Sequence, residues 1–472
     1  MVELTVCLDA KAARPLYQQL YDHLSAQIRS GALPKGGRLP GKRSLANQLA
    51  VAVNTVDTAY QMLVAEGYLE ARPKSGFFVL EYLDALPQAP ERAPVSLPEE
   101  PPAETAPRFD LSTGAVDTAL FPFRTWGRIQ KELLYNGEAL LRHGHRQGDL
   151  ELRRELAAYL RSYRGVVCAP EQIVVGAGVE YLLGLLAQLL RGRTAAVENP
   201  GYDRPRTILE NNGIPCRCVD IDSGGLNPAG LEGSGADLCY ITPSHHFPTG
   251  VTMPAGRRAQ LLRWAGGKPG RYILEDDYDA EFRFDVRPLP SLQGMAGPSG
   301  SVVYLCTFSK SLAPSIRIAC MVLPPALLEG YRKAFGSYSS TVSRFEQQTL
   351  RWFLEGGYFT RHLARMRSAY KNRMERLAAA LEDAFGRENI RLKGQHTGLH
   401  LLLTLPGGPG EAAMASAALA EGVKLKGLSE YYMERQEECP ENSVILGYAS
   451  LQDGDIPALA AALKQAWGGQ DG

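Results

Sequence analysis

The sequence lacks any apolar run approaching the ~18 residues needed to cross a bilayer, so no membrane-spanning helix is expected. It also lacks a CxxC pair. Its eight cysteines are scattered, with Cys216 and Cys218 the one close pair, and its histidines do not cluster with them. That excludes zinc-site spacings, leaves no metal site to expect, and fits thiols kept reduced in a cytoplasm. The opening stretch MVELTVCLDAKAARP carries acidic residues and no apolar stretch, so it is not expected to act as a secretory leader. Net charge is absent as well, with 51 Lys and Arg against 51 Asp and Glu.

The charge that is present is unevenly spread. Residues 1–80 carry nine basic side chains against six acidic ones, a net +3, and residues 81–108 carry two against six, a net −4. A modestly basic head fits a nucleic-acid partner. At ~150 residues per domain the length allows two or three domains, and the patterns divide the chain in that way.

In residues 1–80, PLYQQLYDHLSAQIRSG sets Leu16, Leu20, Leu24 and Ile28 at helical spacing and ends on Gly31. SLANQLAVA predicts a short second helix with Ser44 as its cap. NTVDTAYQMLVAEG predicts a third, capped by Asn54, with Val56, Tyr60 and Leu63 on one face. YLEARPKSGFFVL then reads as strand, turn from Pro73 to Gly76, and strand. Three helices and a hairpin make a winged helix-turn-helix. Residues 81–108 hold seven prolines between Pro87 and Pro107 and are expected to form an acidic, semi-extended tether. From Phe109 onward, helical stretches alternate with short apolar runs (QIVVG, TAAVEN, DLCYIT, RYILEDD, SVVYLCT). That alternation predicts a largely parallel sheet covered by helices, with a smaller α/β lobe from about residue 360.

One lysine in this second part asks for an explanation. In CTFSKSLAPSIRIAC, Lys310 follows an apolar strand, flanked by Thr307 and Ser309, with Arg317 seven positions on. A lysine used as an amine nucleophile must be held in place and be neutral part of the time. Pyridoxal phosphate is the coenzyme that condenses with such lysines. Its phosphate needs hydroxyls, an arginine and a helix N-terminus, and its ring nitrogen needs a carboxylate. Thr307, Ser309 and Arg317 suit the phosphate. VVGAGVEYLLGLL offers the backbone amides of Ala177, Gly178 and Val179 at a helix start. YILEDDYDAEF places Asp276 for the ring nitrogen and Tyr278 for the ring oxygen, and Tyr202 in VENPGYDRPR can stack on the ring. No single element decides the matter, but five of them in this order are hard to obtain by chance.

The stretch GGRLPGKRSLANQLAVAVNTVDTAYQMLVAEGYLEARPKSGFFV resembles the winged-helix domain of GntR-type repressors. The resemblance implies that the third helix enters the major groove by its N-terminal end. Asn54, Thr55 and Thr58 would then face bases or phosphates, Arg43 would contact a phosphate, and Lys74 and Ser75 at the wing tip would reach the backbone or minor groove. Ala52 and Val53 stand where the family often has a hydroxyl and an arginine, and Gly41 where it has a serine, which reduces the expected phosphate anchoring.

Residues 109–472 resemble the fold-type I aminotransferases through NPGY, TPSHHFPTG, EDDYDAEFRF and TFSKSLAPSIRI. With the head in front, the whole chain resembles the MocR-type transcriptional regulators. The resemblance implies Lys310 as the Schiff-base lysine, Asp276 and Tyr278 as ring partners, Tyr202 as the stacking residue, and Thr307 and Arg317 as phosphate ligands. It implies Arg204 as a contact for an amino-compound effector, and a head-to-tail homodimer on double-stranded DNA. The sequence departs from working aminotransferases at Phe247, where an asparagine is usual, and at His143, where a tyrosine is usual. Its last strand, NSVILGYASL, carries no arginine for a substrate carboxylate; Arg204 or Arg435 is the available substitute. The expected function is a regulator that senses pyridoxal phosphate or its adduct. The alternative is an active aminotransferase with a DNA-binding head.

Overall fold

The computed structural model describes residues 6, 8–10, 12–80, 106–285, 289–298, 300–434 and 442–468. Most of the expected tether, 81–105, lies outside the described residues, as does Arg435. The chain divides into two compact units, Met1–Glu104 and Thr105–Gly472. No described helix is long and apolar enough to cross a membrane.

In the first unit, α1 (Leu16–Arg29), α2 (Lys42–Gln48) and α3 (Val53–Ala65) precede a hairpin of β1 (Leu69–Arg72) and β2 (Gly76–Val79). α1 buries Leu20, Leu24 and Ile28 on one stripe, and α3 buries Val56, Ala59, Tyr60 and Leu63. With Leu45, Leu69 and Val79 these side chains form a single core. Gly31 turns the chain out of α1 at φ +76°, a left-handed conformation that strains any residue with a Cβ.

Two expected helix starts are corrected. α2 begins at Lys42 rather than after Ser44, and α3 begins at Val53 rather than after Asn54. Gly41 and Ala52 already hold the extended backbone that precedes a helix, and no side chain caps either one. Ser44 and Asn54 therefore fall inside the first turns, and the Thr55 amide donates to the Ala52 carbonyl at 3.0 Å.

The second unit opens with β3 (Phe109–Asp110), α4 (Phe123–Asn136) and α5 (Leu150–Arg164). There follow β4 (Ile173–Gly176), α6 (Val179–Leu189), β5 (Ala195–Asn199), α7 (Asp203–Asn211), β6 (Cys216–Asp222), β7 (Gly225–Leu226), β8 (Leu238–Ile241), β9 (Tyr272–Asp277), β10 (Val302–Thr307) and β11 (Ala319–Val322). The main sheet runs β4-β11-β10-β9-β8-β5-β6-β7. β6, β5, β8, β9 and β10 are parallel neighbours, while β11 runs against both β10 and β4. Alternate residues of β10 serve two cores. Val303 and Leu305 pack with Leu182 and Leu186 of α6; Tyr304 and Cys306 pack with Leu152 and Leu156 of α5. A sheet covered on both faces explains the unbroken apolar runs in its strands.

The smaller lobe is an antiparallel sheet in the order β12 (Arg391–Lys393), β13 (His400–Thr404), β16 (Ser443–Gly447), β15 (Lys426–Gly427), backed by helices Tyr358–Phe385, Glu411–Ala420 and Ile456–Trp467. β3 pairs in parallel with β14 (Val423–Lys424), and Phe109 and Leu111 join this lobe's core. The first strand of the unit thus belongs to the packing of its last part. Arg373 of the long helix is buried against Asp117 at 2.7 Å and also donates to the Ala449 carbonyl, which fixes the segment that follows β3.

Candidate functional site

The parallel strands end along one edge of the main sheet, the edge where open α/β sheets bind ligands. β4 leads into Ala177 and Gly178, β5 toward Tyr202, β8 toward His245, β9 through Asp276 to Tyr278, and β10 through Thr307 to Lys310. Asp276 lies beside Leu305 in the β9–β10 register, so the carboxylate and the lysine come from neighbouring strands.

Asp276 is buried. Its Oδ2 accepts from the Tyr240 hydroxyl, and its Oδ1 has no partner among the described residues. Burial pushes its pKa up to about 7, against the opposing pull of the Tyr240 hydrogen bond. Lys310 sends its amine to the backbone carbonyls of Thr113 and Gly114, the latter at 3.0 Å. Burial brings its pKa down to about 8, partly offset by the Asp279 carboxylate. A lysine so placed is neutral for a useful fraction of the time near neutral pH. The Tyr278 hydroxyl lies 3.1 Å from His245 Nδ1, which in turn lies 2.7 Å from Asp279 Oδ2.

The residues expected to take a phosphate are grouped around Arg317. This residue holds φ +52°, uncommon for a side-chain-bearing residue, and its Nη2 donates to the Ala177 carbonyl and to Glu180 Oε2. A Cβ on Gly178 would stand 2.3 Å from that Nη2, so glycine is required for the guanidinium to approach. Thr307 and Ser309 hydroxyls are hydrogen-bonded to each other at 2.8 Å. The amide of Ala177 donates to Thr341 Oγ1 and that of Gly178 to the Gly176 carbonyl, so two of the three amides expected to offer themselves are already engaged. Tyr202 is partly exposed, with the Phe247 ring edge-on at 5.7 Å and the Arg204 guanidinium over it at 5.6 Å. Phe247 is itself packed against His400 and Tyr431. Arg204 pairs with Glu180 Oε1 at 3.1 Å.

Sequence reasoning missed Tyr240, Glu180 and the Thr113–Gly114 carbonyls. Glu180 left a trace, being a carboxylate in the first turn of a helix after a glycine. The other two meet their partners across long stretches of sequence and leave none.

In the first unit, Arg43 on α2, Asn54 and Thr58 on α3, and Lys74 and Ser75 in the β1–β2 turn are all exposed, and Thr55 is half-buried. The Thr58 hydroxyl donates to the Asn54 carbonyl at 2.9 Å. Lys42 pairs with Asp57 at 2.5 Å and lies over the Phe77 ring, which ties α2 to α3 and to the hairpin. Val53, at the first position of α3, is 42% exposed, an apolar side chain beside the exposed Ala52 and Asn54.

Residues 16–79 match the bacterial regulatory proteins of the gntR family, and residues 107–463 match aminotransferase class I and II. The chain is 39% identical over 468 residues to the HTH-type transcriptional regulator YhdI of Bacillus subtilis, spanning 99% of this chain and 98% of that one. It is 34% identical over 460 residues to the probable rhizopine catabolism regulatory protein MocR of Rhizobium meliloti, spanning 94% and 92%. The chain belongs to the MocR-type transcriptional regulators. Its second unit also resembles a kynurenine aminotransferase of Pyrococcus horikoshii solved with PMP, at a TM-score of 0.67 and 25% identity over 77% of this chain and 91% of that one. A MocR-type regulator joins a DNA-binding GntR head to an aminotransferase fold, and both parts are present here in that order.

Proposed function

We propose that this regulator holds pyridoxal phosphate at Lys310 and that the coenzyme, free or joined to an amino compound, sets DNA binding by the head. The observation that carries the reading is the buried Oδ1 of Asp276, without a partner among the described residues, on the strand that neighbours the one leading to Lys310, an acceptor suited to a protonated ring nitrogen. The glycine at 178 that admits Arg317 suits a phosphate in the same way. When bound, the coenzyme supplies an aldehyde that condenses with amines. Lys310 would carry it covalently. Thr307, Ser309, Arg317 and the Ala177–Val179 backbone would hold its phosphate, Tyr202 would flank the ring, and Tyr278 would reach the ring oxygen. Arg204 would receive the carboxylate of an effector.

In the head, Arg43, Lys74 and Ser75 would contact phosphates, and Asn54, Thr55 and Thr58 would present polar groups to the major groove. A homodimer is supported by apolar side chains held out on and beside α4: Phe123 at 66%, Leu134 at 69%, Tyr135 at 78% and Leu141 at 77% exposure, a grouping that marks an interaction surface.

The test is a mobility-shift assay on DNA upstream of the protein's own gene, with and without pyridoxal phosphate and a panel of amino compounds. Pyridoxal phosphate, alone or with one amino compound, should change affinity, and Lys310→Ala should not respond. A response retained in Lys310→Ala would refute the reading.

A further inference from the structure

We propose that Glu180 is a built-in competitor for the coenzyme phosphate, shared between Arg317 and Arg204, so that it sets phosphate affinity and links it to the state of Arg204. The proposal rests on the coenzyme reading above.

The two arginines come from different elements, Arg317 from the turn before β11 and Arg204 from the start of α7, and they converge on one carboxylate in the first turn of α6. Arg317 Nη2 donates to Glu180 Oε2 and Arg204 Nη1 to Oε1, one arginine per oxygen. The guanidinium that would take the phosphate therefore already has an anionic partner beside the Gly178 cradle. The hydrogen bond from Arg317 holds the Glu180 pKa below the ordinary glutamate range, with Arg204 adding to the effect, so the carboxylate is charged at neutral pH.

An anion entering that cradle meets two opposing influences. The α6 N-terminus favours it. Glu180 disfavours it twice, by occupying Arg317 and by repelling a second negative charge. The side chains of Glu180, Arg317 and Arg204 are 40%, 47% and 64% exposed. Solvent screens such pairs, and the effect on affinity is several-fold rather than thousand-fold. That is a useful size for a sensor, whose coenzyme must leave as well as bind.

Arg204 modulates this competition. While Arg204 holds Oε1, part of the carboxylate's charge is spent away from the phosphate. Without Arg204, Glu180 binds Arg317 more tightly and opposes the phosphate more strongly. A simpler role for Glu180, as a support that orients Arg317 for phosphate, predicts the opposite sign for its removal.

The experiment is equilibrium titration of the coenzyme-free full chain with pyridoxal phosphate, and separately with pyridoxal, followed by absorbance. Glu180→Gln should tighten pyridoxal phosphate about three- to fivefold and leave pyridoxal unchanged; Glu180→Ala should act in the same direction. Arg204→Gln should weaken pyridoxal phosphate about two- to threefold alone and have no effect in the Glu180→Gln background, the signature of coupling through one shared group. Glu180 variants that bind pyridoxal phosphate equally or more weakly, with pyridoxal unchanged, would overturn the competitor role and leave the coenzyme reading standing. Wild-type protein that binds pyridoxal phosphate no better than pyridoxal would overturn the phosphate site itself, and the competitor with it.

Discussion

Tyr240 donates its phenol hydrogen to Oδ2 of Asp276 from the neighbouring strand, and the other carboxylate oxygen, Oδ1, is buried without a partner among the described residues. One oxygen of this carboxylate is committed to the fold, and the other is not. A satisfied buried carboxylate would be structural; one left half-satisfied carries a desolvation cost that a cationic ligand relieves.

That cost predicts a pH dependence. The Asp276 pKa is about 7 in the folded chain and ~3.9 in an unfolded one. Between these values the folded state holds a proton that the unfolded state has released, so this group's contribution to stability falls as pH rises from about 4 to about 7. Asp276→Asn removes the penalty. In coenzyme-free protein it should raise the thermal midpoint at pH 8 by about 3 °C and change it little at pH 4. The same substitution should cost about 100-fold in coenzyme affinity, because an amide cannot pair with a protonated ring nitrogen as a carboxylate does. Thermal melts at the two pH values and a coenzyme titration check both halves.

Lys310 gives a second prediction. Its pKa is lowered to about 8, chiefly by burial, so the neutral amine becomes the majority form above that value. The rate of coenzyme capture should rise with pH through a midpoint near 8 and level off by about 9. Borohydride reduction and peptide mapping should place the adduct on Lys310, and Lys310→Ala should abolish it. Capture also takes the amine away from the Thr113 and Gly114 carbonyls. Hydrogen exchange in residues 111–117 should therefore quicken in the loaded protein. An adduct mapped to another lysine would end this assignment.

How much of this could be read beforehand depended on the range of the interaction. Strands such as Val302–Thr307 and the residues at their ends, Asp276 and Lys310, were legible because a sheet covered on both faces writes apolar runs into the chain and its ligand edge follows directly after them. The α3 face of Val56, Tyr60 and Leu63 was legible from its 3.6-residue period. The starts of α2 and α3 were not, because backbone dihedrals at Gly41 and Ala52, rather than the hydroxyl or amide of Ser44 and Asn54, begin those helices. Nor were the partners of Lys310: Thr113 is 197 residues away, and no periodicity or spacing encodes a contact of that separation.

The head should bind duplex DNA with a strong dependence on salt, because side chains such as Arg43 and Lys74 release counterions from phosphates. Arg43→Ala should weaken binding about tenfold at 0.1 M salt across all sequences and reduce the salt slope by about one. Thr55→Ala, in the first turn of α3, should instead alter which base pairs are preferred. Binding isotherms at several salt concentrations, on specific and random duplexes, separate these outcomes. An unchanged slope in Arg43→Ala would remove it from the phosphate contacts.

The last prediction concerns turnover. A transaminase must hold its substrate carboxylate more firmly in the transition state than in the ground state, so that one bond to the reacting carbon stands perpendicular to the coenzyme ring. In aminotransferase-like folds the last strand is where a clamping arginine is expected. Here that strand is Ser443–Gly447, buried along its length and without an arginine. Arg204, the substitute that lies among the described residues, is mostly exposed and already paired with Glu180, so it offers a loose grip rather than a clamp. Phe247, ringed by Tyr202, His400 and Tyr431, is apolar where the resemblance to working aminotransferases implies an asparagine amide. A sensor needs neither device, since an adduct that favours one arrangement of the protein over another suffices to move a population. Assays with amino donors and keto acids should therefore detect binding, seen as spectral shifts, without sustained turnover at the roughly 1 per second that marks ordinary enzymes. Turnover at or above that rate would establish a working aminotransferase with a DNA-binding head and displace the sensor reading.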